Sequence, residues 1–266
     1  MAIAIKTPEQ IAKMRVSGKL AAEILTIIKP YVIIGVSTNE LDRICANYIT
    51  QKQKAISACL GYHGYPKSIC ISVNEVVCHG IPNDKKILKN GDIVNIDVTI
   101  IKDGWHGDTS KMFIVGKPTI LGKRLCFITL QSLYLAIKMV KPNIRLYTIG
   151  AAIQKFIEAH GFSVVREYCG HGIGKMFHEE PKVLHYHTDD GGVLLQEGMV
   201  FTIEPMVNVG HYGIRIMKDG WTVKTKDRSL SAQYEHTIVV TNNGCEILTL
   251  REEERDIPRI IIHNKI

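Results

Sequence analysis

The sequence predicts an α+β fold built from two halves of similar plan. Each half begins with two helical segments and continues into strand-rich segments. In both halves the first helical segment runs into a Lys-Pro pair, at 29–30 and 141–142. Both halves also contain a glycine, a β-rich run and a carboxylate six residues after the glycine, at 91–97 and 198–204. We therefore expect one domain over residues 1–266, with halves at about 1–118 and 119–266 that share a centre.

Two capped helices open the chain. The segment TPEQ at 7–10 supplies a capping threonine, a proline suited to the first helical position and a glutamine that completes a capping box. Apolar residues then recur at helical spacing until Pro30 ends the helix. Ser37 and Glu40 form a second capping box, and the pattern behind them predicts a helix through Ile49.

A β-hairpin follows, because Asp103-Gly104 is a strong signal for a two-residue turn. Such a turn pairs Thr99 with Asp108 across the two strands. Asp97 lies on the same face as Thr99, so Asp97 and Asp108 become diagonal neighbours, roughly 7–8 Å apart at the backbone. Two solvated acids on an exposed strand are the alternative. Apolar residues on both sides favour burial, where unpaired carboxylates are costly and a bound cation would stabilise them.

The second half repeats the helical plan. A helix is predicted from about Leu121 to Val140. Thr148 is predicted to cap the next helix, and Gly161 is predicted to end it.

Two further acids lie in β-rich segments of the second half. Glu204 follows the apolar run 200–203, and Glu235 precedes the run 237–240. Acids are poor strand residues, so four of them in such segments indicate a common site. His171, in the segment CGHGIG at 169–174, is the candidate imidazole partner, although a lone histidine is more often structural. The glycine spacing there is not that of a phosphate-binding loop.

This set of oxygen ligands with one imidazole suits divalent Mn, Fe, Co or Zn. Four carboxylates carry too much charge for one divalent ion, so two bridged ions fit better. Other hydrolytic patterns are absent from the sequence. The segment HEEPK at 178–182 is not HExxH, and no GxSxG occurs.

Composition indicates the cellular compartment of the protein and the partners it can bind. Seven cysteines without a CxxC pair indicate a reducing compartment rather than a disulfide framework. The start lacks a secretory pattern, and no stretch approaches the ~20 apolar residues of a membrane span, so we expect a cytoplasmic protein that does not bind a membrane. The net charge of +7 fits attraction to RNA or a ribosome, or a lysine-rich solvated surface. The scattered basic residues favour the second interpretation.

Five motifs, in order along nearly the whole chain, resemble those of the pita-bread metallohydrolases. The motifs are NID at 95–97, GDTS at 107–110, GHGIG at 170–174, FTIEP at 201–205 and QYEHT at 233–237. The segment CHGIP at 78–82 resembles the one that distinguishes methionine aminopeptidases, here of the short bacterial type I. The resemblance implies pseudo-symmetric halves with a central antiparallel sheet covered by helices, in a single catalytic domain. Only the segment after about Glu254 departs from the pattern.

The resemblance also implies a function. The enzyme would remove the N-terminal initiator methionine from nascent proteins when the second residue is small and uncharged. A hydroxide activated by two divalent metal ions (Co, Mn, Fe or Zn) would attack the scissile amide. We expect a monomer that acts on N-terminal Met peptides, and a transient ribosome contact remains an open alternative.

Site residues are assigned by the same resemblance. The five metal ligands would be Asp97, Asp108, His171, Glu204 and Glu235. Asp108 and Glu235 would bridge the ions, and Glu204 would also shuttle the proton to the leaving amine. His79 and His178 would bind the scissile amide and the developing oxyanion. The methionine pocket would be lined by Cys59, Tyr62, Tyr65, Cys70, Phe177 and Trp221. A monovalent cation would bind near Asn74, Val76 and Ser231.

Two other functions are compatible with parts of this pattern. A prolidase or aminopeptidase P shares the fold but resembles chains with a large additional N-terminal domain. A non-catalytic relative that binds RNA or the ribosome would have lost metal ligands, whereas all five candidates are present here.

Overall fold

The computed structural model describes residues 2–255. Met1 and residues 256–266 lie outside that description, and with them nearly all of the divergent segment expected after Glu254. Within the described residues the α-helices are α1 (Pro8–Ile28), α2 (Thr38–Asn47), α3 (Ile120–Met139) and α4 (Leu146–Ala159). The strands before α3 are β1 (Ile56–Ser57), β2 (Cys70–Val73), β3 (Val76–Cys78), β4 (Ile93–Lys102) and β5 (Trp105–Ile114). The strands after α4 are β6 (Ser163–Val164), β7 (Gly170–Gly172), β8 (Glu179–Val183), β9 (Val200–Ile203), β10 (Met206–Asn208), β11 (Ile214–Ile216), β12 (Val223–Thr225), β13 (Ser231–Gln233), β14 (His236–Val240) and β15 (Cys245–Ile247).

The start of α1 confirms the predicted capping box. The Thr7 hydroxyl accepts a hydrogen bond from the Gln10 amide at 3.3 Å, and the Gln10 side chain accepts one from the Thr7 amide at 3.1 Å. The helix ends at Ile28, immediately before the turn that contains Pro30.

Two glycines bring α1 onto strand β5. A Cβ atom on Gly107 would lie 2.5 Å from the Gly18 amide nitrogen, and one on Gly18 would lie 2.6 Å from the carbonyl oxygen of Leu248. A side chain at position 107 would separate α1 from β5, and one at position 18 would push α1 away from Leu248. This close approach fixes the hairpin that carries Asp97 and Asp108 against the first helix.

Helix α2 is shorter than predicted. The Ser37 hydroxyl caps it by accepting from the Glu40 amide at 3.1 Å, so the predicted N-terminus is confirmed. The α-helix ends at Asn47, and a π-helical turn over Tyr48–Lys52 replaces the predicted α-helical continuation to Ile49.

The cap predicted for α4 is wrong, whereas α3 begins and ends within one residue of its prediction. Thr148 lies inside α4, and its hydroxyl donates to the Arg145 carbonyl at 2.6 Å. The first amides of α4 have tertiary partners instead, because Leu146 donates to the Val193 carbonyl and Tyr147 to that of Gly191. A helix start satisfied by a neighbouring loop needs no side-chain cap.

Strands β4 and β5 form the predicted hairpin. Lys102 pairs with Trp105 and Thr99 pairs with Asp108, as the two-residue turn requires. The turn residues Asp103 and Gly104 have φ values of 50° and 77°, which are the positive angles of a type I′ turn.

Antiparallel sheets and covering helices confirm the expected α+β class. Strand β4 pairs with β5 along one edge and with β2 and β1 along the other. The second large sheet has the order β15-β14-β9-β7-β8. Three-stranded sheets β13-β10-β6 and β11-β12-β3 lie beside them. One apolar cluster joins α1 and α2 to β2 and β4, and another joins α3 and α4 to β9 and β14.

Helix α3 passes the length and composition criteria for a membrane-crossing helix, so the expectation that no stretch approaches such a span is wrong on those criteria. In the fold, 56% of its apolar window is buried inside the protein. It contributes Leu125, Leu133 and Ile137 to the second apolar cluster, as expected of a core helix.

Candidate metal centre and active-site cavity

The five side chains predicted as metal ligands converge at one point. Asp97 and Asp108 come from the β4–β5 hairpin, and His171 lies on β7. Glu204 follows the last residue of β9, and Glu235 lies between β13 and β14. The Nε2 atom of His171 is 3.6 Å from an Asp108 oxygen and 3.8 Å from a Glu204 oxygen. Ligand atoms of Asp108, His171 and Glu235 all lie within 4.8 Å of one another.

Burial raises the pKa of every carboxyl group in this cluster. The pKa of Asp108 is raised to about 7 by burial, against the opposing hydrogen bond from Thr99. Burial is the larger cause that raises the pKa values of Asp97, Glu204 and Glu235, and the nearby charge of Asp108 raises them further. Four acids in so small a buried volume repel one another unless protons or cations separate them.

The donor set fits divalent cations. Buried oxygen atoms of Asp97 and Glu235 have no hydrogen-bond partner among the described residues. The Nδ1 atom of His171 lies 2.9 Å from the Gly172 carbonyl oxygen, which can only accept. Nδ1 therefore carries the proton, and Nε2 presents its lone pair to the carboxylates. Oxygen ligands with one imidazole suit divalent Mn, Fe, Co or Zn.

Neighbouring side chains orient two of the carboxylates. Thr99 donates to Asp108 at 2.7 Å, and Thr202 donates to Glu204 at 2.7 Å. The amide of Gln233 donates to the other Glu204 oxygen at 3.2 Å. Sequence reasoning assigned none of these partners. Strand alternation could have found Thr202, because residues two apart on a strand share a face.

His79 and His178 both line the cavity above the cluster. His79 has a φ of 54°, an unusual backbone conformation for a residue other than glycine. Burial, and then the nearby His178, lower the pKa of His79 to about 4. The Nδ1 atom of His178 lies 2.8 Å from the Tyr62 hydroxyl, and its ring stacks on Phe177.

A cavity of ≈ 430 Å³ is lined by all of the side chains predicted to bind the divalent metals and the substrate. The residues of the predicted monovalent site do not line it. On its apolar side Cys59, Cys70 and Tyr65 are buried, and Tyr65 packs edge-on against Trp221 at 5.1 Å. Tyr62 lies 4.9 Å from Phe177. The sequence analysis missed the other lining residues, which are His63, Cys78, Glu167, Tyr168, Cys169, Lys182, Met206 and Gln233. Cys78, Cys169 and Gln233 lie inside the quoted segments at 78–82, 169–174 and 233–237, whereas the other five lie in no family motif and reach the cavity only through the fold.

Asn74 and Ser231 of the predicted monovalent site are neighbours in the structure. The Ser231 amide donates to the Asn74 carbonyl at 2.9 Å. Val76 begins strand β3, two residues from Asn74. Buried Ser231 Oγ has no hydrogen-bond partner among residues 2–255. The assignment of a cation to this place stays a prediction.

Residues 12–242 match the model of metallopeptidase family M24. The chain belongs to metallopeptidase family M24. A methionine aminopeptidase of Salmonella typhimurium is 76% identical to this M24 peptidase over 265 residues, and that of Escherichia coli is 74% identical, each with full coverage of both chains. The expected family is thereby confirmed, and with it metal-dependent peptide hydrolysis.

Solved structures agree with the pita-bread fold of this M24 peptidase. Methionine aminopeptidase from Rickettsia prowazekii superposes with a TM-score of 0.91 at 55% identity, covering 94% of this chain and all of the other. Prolidase from Pyrococcus furiosus superposes with a TM-score of 0.75 at 22% identity, covering 93% of this chain and 66% of the other. The second likeness concerns the fold alone.

Proposed function

We propose that this M24 peptidase removes the initiator methionine from nascent proteins whose second residue is small and uncharged. The observation that carries the proposal is one cavity in which a cluster of four carboxylates and a histidine adjoins a pocket of buried apolar side chains. The full-length relatives named methionine aminopeptidase support it.

Two divalent cations would be held by Asp97, Asp108, His171, Glu204 and Glu235, and would make water nucleophilic near neutral pH. Four carboxylates carry more charge than one divalent ion neutralises, which supports a pair of ions. The identity of the metal is left open by this ligand set. A monovalent cation near Asn74, Val76 and Ser231 is a further part of the proposal.

Glu204 would move the proton. It would accept the proton of the attacking water and deliver it to the leaving amine. Burial, followed by the nearby charge of Asp108, raises the pKa of Glu204 in the metal-free protein, which is the direction that favours taking up a proton. The hydrogen bonds from Thr202 and Gln233 would hold the carboxyl group in one orientation throughout.

His79 and His178 would orient the peptide. Both lie beside the carboxylate cluster, where their ring N–H groups could donate to the scissile amide and the developing oxyanion. The lowered pKa of His79 keeps its ring neutral near pH 7. A neutral ring beside the metal ligands does not repel the bound cations.

The pocket would select methionine by shape. Tyr62, Tyr65, Phe177 and Trp221 surround it with aromatic faces. An unbranched thioether can enter such a slot and make sulfur–ring contacts worth about 0.3–1.5 kcal/mol. A branched side chain would clash near its branch point. The second residue of the substrate would sit beside His79 and the metal ligands, where crowding would exclude a large side chain.

Residues 1–266 would act as a single catalytic domain, because the candidate ligands come from both halves. Asp97 and Asp108 belong to the first half, and His171, Glu204 and Glu235 to the second. We also propose a cytoplasmic location, supported by seven cysteines that are all unpaired. A monomer and a transient ribosome contact complete the proposal.

A peptide series tests the substrate assignment. Enzyme reconstituted with one divalent metal at a time should cleave Met-Ala-Ser efficiently. It should cleave Leu-Ala-Ser worse by more than the ~10–200-fold that one methylene can discriminate, because steric exclusion adds to lost contact. Met-Lys-Ser should also be a poor substrate.

The controls separate the parts of the proposal. Comparable kcat/KM for the three peptides would mean that the pocket assignment is wrong. Turnover of Gly-Pro with none of Met-Ala-Ser would favour a prolidase. Metal-stripped enzyme is the matched control, and activity that survives complete chelation would contradict the metal-dependent mechanism.

A further inference from the structure

Two threonines join the strands that carry the candidate bridging carboxylates. The Thr109 hydroxyl donates to the carbonyl of Glu235 at 2.7 Å. In the opposite direction, the Thr237 hydroxyl donates to the carbonyl of Asp108 at 2.7 Å. Strand β5 belongs to the first sheet and β14 to the second. Thr109 thus follows Asp108 in the chain and binds the carbonyl of Glu235. Thr237 lies two residues after Glu235 and binds the carbonyl of Asp108.

A buried arginine fixes the direction of one of these bonds. The Nη1 atom of Arg251 lies 2.8 Å from the Thr109 hydroxyl oxygen. A guanidinium group has donors only, so the hydroxyl must accept from Arg251. The single hydroxyl proton is then available for the Glu235 carbonyl.

Arg251 is itself held in place. Its side chain is fully buried, and Nη2 donates to Glu254 at 2.6 Å. The other Glu254 oxygen lies 3.4 Å from Nε2 of His236, the residue that follows Glu235. The segment 251–254 thus contacts both strands directly behind the carboxylate cluster.

Stability alone gives no reason for a buried arginine here. Replacing a buried ion pair with apolar side chains of similar volume is often neutral or stabilising. What an apolar side chain could not do is donate to Thr109. The specific consequence of Arg251 is an oriented hydroxyl and, through it, a fixed position for the main chain of Glu235.

We propose that Thr109 and Arg251 are positioning residues that hold Asp108 and Glu235 at the separation the metal pair requires. The inference rests on the proposed function, since it assumes that these carboxylates bind divalent cations. Without the Thr109 hydroxyl, the Glu235 carbonyl loses its bond to β5, while the Thr237 hydroxyl still holds the Asp108 carbonyl. Partners of metal-binding carboxylates typically change metal affinity when they are removed.

The test compares Thr109→Val, which removes the hydroxyl and keeps the shape, with Thr109→Ser, which keeps the hydroxyl. The matched control is Thr129→Val, because Thr129 is equally buried and bonds only to Leu125 within α3. Calorimetric titration of metal-free protein with Mn²⁺ should show affinity lowered roughly 10–100-fold in Thr109→Val and in Arg251→Met. Thr109→Ser and Thr129→Val should bind like wild type.

A second set of measurements separates positioning from general destabilisation. Metal-free Thr109→Val should lose more stability than Thr129→Val, because it leaves the buried Nη1 of Arg251 without its acceptor, so the Mn²⁺ affinities are compared at a temperature where circular dichroism shows both variants to be folded. On Met-Ala-Ser at saturating Mn²⁺, Thr109→Val should lower kcat and leave KM near its wild-type value.

Equal Mn²⁺ affinity in Thr109→Val and Thr129→Val would overturn the inference, even if Arg251→Met failed to fold. If wild type bound Mn²⁺ but did not cleave Met-Ala-Ser, the proposed function would fail, and the calorimetric comparison would still decide this inference. Absence of Mn²⁺ binding in wild type would overturn both.

Discussion

At the scale of single residues, Glu204 is held from three directions. Its two carboxyl oxygens accept from Thr202 and Gln233, and its amide donates to Nε2 of His185 at 3.1 Å. His185 is fully buried. Burial also raises the pKa of the Glu204 carboxyl group. A carboxyl group that is fixed in position beside the reacting groups is suited to carry a proton between them.

Replacing Glu204 with Gln keeps the size of the side chain and removes its ability to take a proton. We expect kcat on Met-Ala-Ser to fall by about 10²–10⁴-fold, with KM little changed, because a transition-state role is lost. Steady-state kinetics at saturating Mn²⁺, with metal content measured on the same samples, check this. Glu158→Gln on the exposed face of α4 is the matched control. A metal-loaded Glu204→Gln variant with wild-type turnover would exclude the proton-transfer role.

At the scale of elements, the β4–β5 hairpin determines where Asp97 and Asp108 lie. Its register follows from the two-residue turn, since a slip of one residue would send both acids to the opposite face. The turn depends on positive φ at Asp103 and Gly104. No neighbouring atom lies within 4 Å of where a Cβ of Gly104 would be, so only the backbone conformation disfavours a side chain there.

Gly104→Val should therefore destabilise the protein by about 1–2 kcal/mol, the cost of a left-handed conformation with a β-carbon. Gly104→Asn should cost less, because asparagine tolerates this conformation. Urea unfolding of both variants in the metal-free state checks the difference, which should appear in the midpoint with an unchanged slope. Equal stability of the two variants would contradict a backbone origin.

At the scale of the whole molecule, folding brings acids from both halves together at a cost in charge repulsion. In the folded, metal-free protein the carboxyl pKa values lie above their unfolded values of about 4, and that of Asp108 is about 7. Protonation at the cluster thus stabilises the metal-free fold below about pH 4. That contribution is lost as the pH rises through the folded pKa values. Bound cations would replace the protons.

Binding of Mn²⁺ near pH 7 should consequently release protons. Titration calorimetry in buffers of different ionisation enthalpy measures the number released. The increase in Tm caused by Mn²⁺ should grow between about pH 5 and about pH 8, because the metal-free fold loses stability over that range. A binding heat independent of the buffer, with a Tm increase that does not change with pH, would show that the cluster is already ionised without metal.

Local sequence was enough to predict the α+β class, the helix caps at Thr7 and Ser37 and the hairpin register, and it supplied the five candidate ligands. These features depend on local preferences: a hydroxyl that caps an amide, a turn that needs positive φ, and acids that are improbable inside strands. The motifs of the family extended the prediction to the cavity side chains.

Tertiary structure decided what depends on distant segments. The start of α4 was mispredicted because the loop at 191–193, and not Thr148, satisfies its first amides. The bonds from Gln233 to Glu204 and from Arg251 to Thr109 join residues 29 and 142 positions apart. Side chains at such separations meet only when both sheets and their helices are packed, and no periodicity or spacing along the chain encodes that meeting. Local chemistry thus predicts which residues can bind a metal, whereas packing determines how firmly they are held.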